Sequence, residues 1–487
     1  MSKLMPHMII LLPGIMGSVL QKDGKDLWAL SGQALWQFLR TLGKRIGELG
    51  VQGDDWRQDS LDDGVQAVRL IEDLHSIPPL VEHAGYSVIT QGITEFFGLE
   101  QGSVDLPVES ASFFTFPYDW RRDNRVAARK LQQFIETQLP RWREWSGARN
   151  AQVILIGHSM GGLVSRYYLE VLGGWRDCCA AITVGSPHRG AIGALDTLSN
   201  GFKKFSINFA SLTNLVHSFP STYQLLPTYP AVEVEGKYVR PAETDALPNV
   251  SQAQAKAGRE EFLEAIRLAA IENAGNPDYA QKTIPWVGTR QDTLQSAAVK
   301  NGKLEVSFDP PAGLDPTLVD GDGTVPRISA VPPDLDGKRF ERFAVERHGW
   351  LTNNQMTLQP LLDTLLQVGS PGAPTFFGVG EEEPLPASIN LRLEKLFLPD
   401  EPAAIHVALV EAGEEPQSLT LRVKPVGHAG EDVESRVKAS SAKPANVEFG
   451  VLKPGLYAVT AEAEHPGPKA PAPVHAVFEV VGMEETG

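Results

Sequence analysis

The chain carries the pentapeptide Gly157-His158-Ser159-Met160-Gly161. It follows the apolar run Val153–Ile156 and precedes an amphipathic segment, Gly161–Leu172, so Ser159 is expected on a sharp strand-to-helix turn. Glycines flank the serine because a side chain in so tight a turn collides with the neighbouring chain. Such a turn presents the serine oxygen at a helix N-terminus, whose partial positive charge favours a developing anion. A chance G-x-S-x-G is the plain alternative. The strand–turn–helix setting is what argues for a nucleophile.

A serine needs a base, and the base an orienting acid. Behind a turn of this kind the chain order is serine, acid, histidine. His188 and His217 come too early to follow a late acid. His406, His428, His465 and His475 lie in a C-terminal stretch of different pattern, which leaves His348, between the apolar run Phe343–Val345 and Gly349. A lone histidine is more often structural; order and position single this one out. The acid is expected in the turn Asp320-Gly321-Asp322-Gly323-Thr324, with Asp322 as the candidate and Asp320 explained by ordinary turn chemistry. A calcium loop begins in the same way, but the glutamate it needs is missing. An oxyanion requires two backbone donors. One is expected at Met160. The other is assigned to Ile15, in the loop Leu12-Pro13-Gly14-Ile15-Met16-Gly17-Ser18, where Gly14 permits close backbone approach. A simple glycine-rich turn is the alternative there.

Positioning these residues takes alternating strands and helices. Met8–Pro13, Ser112–Phe116, Gln152–Ile156, Ala180–Val184, Ile284–Val287 and Phe340–Val345 read as strands. Asn124–Trp145, Gly161–Leu172 and Asn354–Gln367 read as helices. This implies an α/β fold, a mostly parallel sheet covered on both faces, over residues 1–368. Residues 19–80 and 192–280 break the rhythm and are expected to form cap insertions; the second contains a helical stretch, Arg259–Asn273. Residues 369–387, with several Gly and Pro and the run Glu381–Glu383, read as a linker. Beyond it the period is two: Ile389, Leu391 and Leu393, then Leu419, Leu421 and Val423, then Ala476, Phe478 and Val480. Residues 388–487 therefore read as a small Ig-like β-sandwich. A chain ending near residue 370 is expected to keep esterase activity.

The 487 residues suit two or three units, and the net charge of -16 argues against nucleic acid and gives no general attraction to anionic lipid. Cys178 and Cys179 are adjacent and cannot build a disulfide framework, which fits a reducing compartment. The apolar run Met8–Leu12 is short, ends at Pro13-Gly14 and lacks a cleavage site, so it reads as a strand rather than a signal peptide. No stretch approaches the roughly 20 apolar residues of a membrane span. The expected location is cytoplasmic, or outside the cell by a non-classical route.

In its ordered motifs the chain resembles the family of lecithin:cholesterol acyltransferase and lysosomal phospholipase A2, as a bacterial-type member without a signal peptide. The motifs are Pro13-Gly14-Ile15-Met16-Gly17, Phe116-Pro117-Tyr118-Asp119-Trp120-Arg121, Gly157–Gly161, Gly185-Ser186-Pro187, Asp320–Val325 and His348. The resemblance covers residues 8–368 and implies an α/β-hydrolase with the triad Ser159, Asp322 and His348. It implies Ile15 and Met160 as oxyanion donors and a metal-independent, cofactor-free reaction through an acyl-enzyme. Gly14, Tyr118, Asp119, Trp120 and Arg121 are expected to brace the active-site loops. The expected function is hydrolysis or transfer of a lipid acyl ester, as in a phospholipase A, lipase or O-acyltransferase. The partners are a lipid or ester substrate and a transient membrane surface. The alternatives are a non-lipid carboxylesterase and an inactive scaffold that binds a partner through the sandwich. Trp28, Trp36, Phe202, Phe205 and Phe209 are candidates for an apolar, lipid-facing cap, or for packing inside it.

Overall fold

The computed structural model describes residues 5–29, 43–72, 75–77, 81–83, 85–104, 108–201, 203–204, 207–208, 210–315, 318–335, 342–370, 387–412, 415–465, 467 and 470–482. Most of the expected linker, and Trp36, Phe202, Phe205 and Phe209, lie outside these residues.

A seven-stranded sheet forms the centre. Its strands are β1 (Met8–Leu12), β2 (Gln101–Gly102), β3 (Phe113–Thr115), β4 (Val153–His158), β5 (Cys178–Val184), β6 (Thr283–Gly288) and β7 (Arg342–Ala344). Their order is β7-β6-β5-β4-β1-β3-β2, and every neighbouring pair is parallel. Parallel strands need both faces covered, which is why β1 and β4 read as unbroken apolar runs. Successive side chains then serve opposite faces. Ile10, Leu12, Val153 and Leu155 pack on one side with Leu131 and Ile135 of α2 (Asn124–Ser146) and Leu163 of α3 (Met160–Arg166). Ile9, Leu11, Ile154 and Ile156 pack on the other with Ile89 and Ile93 of α1 (Ser87–Phe97) and with Leu358 and Leu362 of α4 (Gln355–Gly369). Each fully buried aliphatic side chain contributes about 1.5–3 kcal/mol, so a one-residue slip of either strand is strongly disfavoured.

The sheet is that of an α/β-hydrolase, as expected. Helix α1 and the short edge strand β2 were not legible in the sequence. Neither were several cap elements. Ser18–Lys22 pairs antiparallel with Lys25–Trp28 and Val65–Leu70. Val232–Val234 and Lys237–Val239 join Ser296–Lys300 and Lys303–Ser307 in a four-stranded sheet. Val232–Val234 and Lys237–Val239 have three residues each, too short to show a period. The helical stretch read as Arg259–Asn273 begins earlier, at Gln252, and passes through a π turn at Gly258–Leu263 before Glu264–Ala274. Gly258 permits this path, since a Cβ there would lie 2.5 Å from the Tyr223 carbonyl oxygen. Trp28 is buried, edge-on to Trp120, so it belongs to the core rather than to a lipid-facing surface.

The described residues between 388 and 480 form two sheets around one apolar core that includes Leu391, Val407, Leu421, Val459 and Phe478, antiparallel except where Leu396–Phe397 pairs parallel with Val474–Val480. One sheet holds β8 (Ser388–Leu393), β10 (Pro402–Val410) and β13 (Ala445–Val451). The other holds β9 (Leu396–Phe397), β11 (Gln417–Val426), β12 (Val433–Ala439), β14 (Gly455–Ala463) and β15 (Val474–Val480). Among the described residues no helix is long and apolar enough to cross a membrane.

Candidate active site

Ser159 stands between β4 and α3 with φ 53° and ψ −124°, a strained backbone for a residue with a side chain. The surrounding glycines allow it. A Cβ on Gly157 would sit 2.5 Å from Gly162 Cα, one on Gly161 would sit 2.4 Å from the Pro13 carbonyl oxygen, and one on Gly162 would overlap Ser186 Oγ. The Ser159 N–H donates to the Val184 carbonyl at 2.8 Å, tying the turn to β5.

The loop after β1 folds over this serine. Gly14 lies so close that a Cβ there would approach Ser159 Cβ to 2.9 Å. The loop is fixed from several sides. The Tyr118 hydroxyl donates to the Pro13 carbonyl at 2.9 Å, the Trp28 indole N–H donates to the Met16 carbonyl at 3.1 Å, and the Gly14 N–H donates to the Tyr86 hydroxyl at 2.7 Å. Among the described residues the N–H groups of Ile15 and Met160 donate to no protein acceptor. The helix ladder supplies none for the Met160 N–H, since it opens α3.

His348 and Asp322 come together beside the ends of β5 and β6. Asp322 Oδ2 lies 2.7 Å from His348 Nδ1, and the His348 N–H donates to the Asp322 carbonyl at 2.8 Å. Oδ1 of the same aspartate accepts from the N–H groups of Thr324 (3.0 Å) and Val325 (2.7 Å). Both residues are buried. Gly185 and Gly288 make room for them: a Cβ on Gly185 would lie 3.0 Å from Asp322 Oδ2, and one on Gly288 2.4 Å from Asp322 Cβ. Asp320 points away. It accepts from the Thr289 hydroxyl at 2.9 Å and from the Arg290 N–H at 3.1 Å, and burial pushes its carboxyl up to about 6. Its role is to anchor the turn to the end of β6, a tighter task than turn propensity alone suggests.

Ser159, His348 and Ile15 line one cavity of about 1120 Å³. Leu225, Leu294, Leu304 and Val325 give it apolar surface, while Asp196, Lys303, Glu305 and Arg392 line it too. Among the described residues no group of three or more His, Cys, Asp or Glu side chains is placed to hold a metal ion.

The expected support residues make structural contacts. Trp120 is buried against Trp28 and Phe219, and its indole N–H donates to the Ser18 carbonyl at 3.0 Å. Arg121 is fully buried; it pairs with Asp119 and Asp63 and donates to the Leu49 carbonyl. The block thus joins the loop after β1 to the first cap insertion.

Sequence reasoning missed Tyr86 and His158. The Tyr86 hydroxyl accepts from Gly14 and lies 2.9 Å from His158 Nδ1, while His158 Nε2 lies 3.2 Å from the His348 carbonyl. Burial, with His348 nearby, pushes the His158 imidazole down to about 3, so it is neutral. One arrangement satisfies every partner: Tyr86 donates to Nδ1, and Nε2–H donates to the carbonyl. A chain of bonds therefore links the loop after β1 to the backbone of His348. His158 was within the pentapeptide and could have been singled out; nothing near Tyr86 marks it.

An all-parallel sheet with a strand–turn–helix serine, a late buried Asp–His pair and a glycine-rich loop over the serine defines an α/β-hydrolase. Residues 81–262 match the family model for lecithin:cholesterol acyltransferase. The chain is thus an α/β-hydrolase similar to that family, a class of ester-acting hydrolases and acyltransferases. The match includes Ser159 and ends before Asp322 and His348. No curated protein matches the chain. Among solved structures, Bacillus licheniformis lipase BlEst2 in its propeptide form is 11% identical, covers 97% of this chain and 93% of its own, and has a TM-score of 0.31. The mature form of the same lipase is 13% identical over 74% of this chain and 91% of its own, with a TM-score of 0.31. The CARDB domain of the PF1109 protein from Pyrococcus furiosus is 13% identical over 20% of this chain and 87% of its own, with a TM-score of 0.16.

Proposed function

We propose that this chain hydrolyses or transfers the acyl group of a lipid ester, with Ser159 as nucleophile, His348 as base and Asp322 as the orienting acid. The observation that carries the reading is the 2.7 Å contact between His348 Nδ1 and Asp322, made by a histidine that shares a cavity with Ser159.

With Nδ1–H held by the carboxylate, Nε2 is the nitrogen left to take the Ser159 proton as the oxygen attacks the ester carbonyl. The negative oxygen of the tetrahedral intermediate falls to the N–H groups of Ile15 and Met160. His348 then gives its proton to the departing alcohol, leaving an acyl-serine. Water or an acceptor alcohol, deprotonated by His348, attacks that acyl group and frees Ser159. The size of the cavity and its aliphatic residues support a long acyl chain. The substrate would be met at a membrane surface.

The charged residues of the same cavity, Asp196, Lys303 and Glu305 among them, favour a second reading, a carboxylesterase for polar esters. Two experiments decide. A fluorophosphonate probe should label the wild type and not Ser159→Ala; labelling of another serine would reject the nucleophile. Mass spectrometry after incubation with mixed phospholipids and sterol should show acyl loss or transfer, with more turnover on vesicles than on the same ester dispersed as monomers. Activity confined to short monomeric esters would select the carboxylesterase.

A further inference from the structure

The loop that carries His348 is gripped from the C-terminal sandwich. Glu346, two positions before the histidine, is fully buried. Its Oε1 accepts from the Arg347 N–H at 2.8 Å and from the His475 N–H at 3.2 Å. Its Oε2 accepts from Asn354 Nδ2 at 2.5 Å and lies 2.8 Å from His475 Nδ1. His475 belongs to β15 and stacks on Trp350 with ring centroids 4.7 Å apart. Trp350 in turn packs with Leu456 and Val477. A second contact runs through β8. The Arg347 guanidinium donates to the Leu391 carbonyl at 2.8 Å, and Gln291 trades bonds with the backbone of Ile389 (2.9 Å) and Leu391 (3.3 Å). Gln291 also donates its N–H to the Gly321 carbonyl, one residue before Asp322. The same stretch of sandwich supplies Leu391, Arg392 and Leu393 to the cavity that contains Ser159.

A buried carboxylate is costly unless its oxygens are supplied with donors. Glu346 draws part of its set from His475, and its own backbone leads directly into His348. We propose that Glu346 is a positioning residue for His348, and that the sandwich, through His475, completes the active site. This rests on His348 acting as the base under the reading above. On this proposal a chain ended near residue 370 loses both the His475 donors to Glu346 and one wall of the cavity, so it does not keep the activity expected of it from sequence.

The test uses the full chain, a short soluble nitrophenyl ester and the fluorophosphonate probe. His475→Leu keeps bulk and removes the side-chain donor; His475→Asn restores a short donor. For His475→Leu, kcat and the rate of Ser159 labelling should fall about ten- to a hundred-fold with KM nearly unchanged, the range set by a buried carboxylate that loses one of its donors. His475→Asn should recover most of that loss. A purely structural role would lower the melting temperature and leave kcat intact well below it. Glu346→Gln, which preserves shape, gives the same readout if His475→Leu does not fold. Wild-type kcat in folded His475→Leu, or a rise in kcat showing that the sandwich restrains the site, would overturn the proposal. Failure of the triad itself shows separately, as turnover or labelling that survives Ser159→Ala.

Discussion

Asp322 holds His348 twice: its carboxylate lies 2.7 Å from the imidazole Nδ1, and its backbone carbonyl accepts the histidine's own N–H at 2.8 Å. The ring is fixed in tautomer by the first bond and in place by the second. Asp322→Asn keeps the backbone bond and offers the ring an amide that can select the wrong tautomer. Its kcat should fall by a factor on the order of 10⁴, whereas Asp320→Asn should lower it only mildly. Comparable mild losses in steady-state kinetics of both variants would move the acid elsewhere.

Tyr86→Phe deletes one oxygen and leaves the packing. The Gly14 N–H and His158 Nδ1 are then buried without their partner. We expect kcat to drop about tenfold, the effect of roughly 1–2 kcal/mol for unsatisfied buried groups, with little change in KM. If kcat is unchanged in a folded variant, the bond chain from the loop after β1 to His348 does not order the site.

The elbow tolerates no side chain at Gly161, where a Cβ would meet the carbonyl oxygens of Pro13 and Leu12 at 2.4 and 2.7 Å. Gly161→Ala should force β1 and α3 apart, destabilise the fold by about 1–3 kcal/mol and lower kcat as the Ile15 donor moves away. Chemical denaturation and kinetics measure the two effects. A variant as stable and active as the wild type would mean that the loop yields at no cost.

Asp320 titrates near 6 in the folded chain, above the usual aspartate value of about 3.9, because burial disfavours its charged form. A carboxyl raised in this way gives stability that is complete below its unfolded value and lost as pH rises through the folded one. The stability of the wild type relative to Asp320→Asn should therefore fall between about pH 4 and 6 and level off above. A difference independent of pH over that window would place the carboxyl in a better-solvated setting than the turn indicates.

The parts of this molecule legible in its sequence are those in which neighbours in the chain share a task. β1 and β4 are buried on both faces and read as apolar runs. Ser159, Asp322 and His348 follow one another in an order that few other residues satisfied. What escaped notice joins distant positions. Tyr86 meets His158 across 72 residues, and Glu346 meets His475 across 129. Neither pair has a local signature, because a tyrosine in a loop or a histidine on a strand is common, and only the folded chain shows what each one touches. Two of the cap strands, Val232–Val234 and Lys237–Val239, were missed for another reason: at three residues they express no period.

The span between Glu346 and His475 also sets an order of events during synthesis. At about 5–20 residues per second, a ribosome needs on the order of ten seconds to add the stretch that separates them. Throughout that interval the parallel sheet can form while the loop carrying His348 still lacks its grip. All residues of the serine turn are made before that interval begins, whereas the contact between Glu346 and His475 has both partners only once strand β15 is made. On the proposed roles, a chain still being made would hold the residues of the serine turn before the loop of His348 can gain its grip from the sandwich, a delay set by the sequence separation of the two partners.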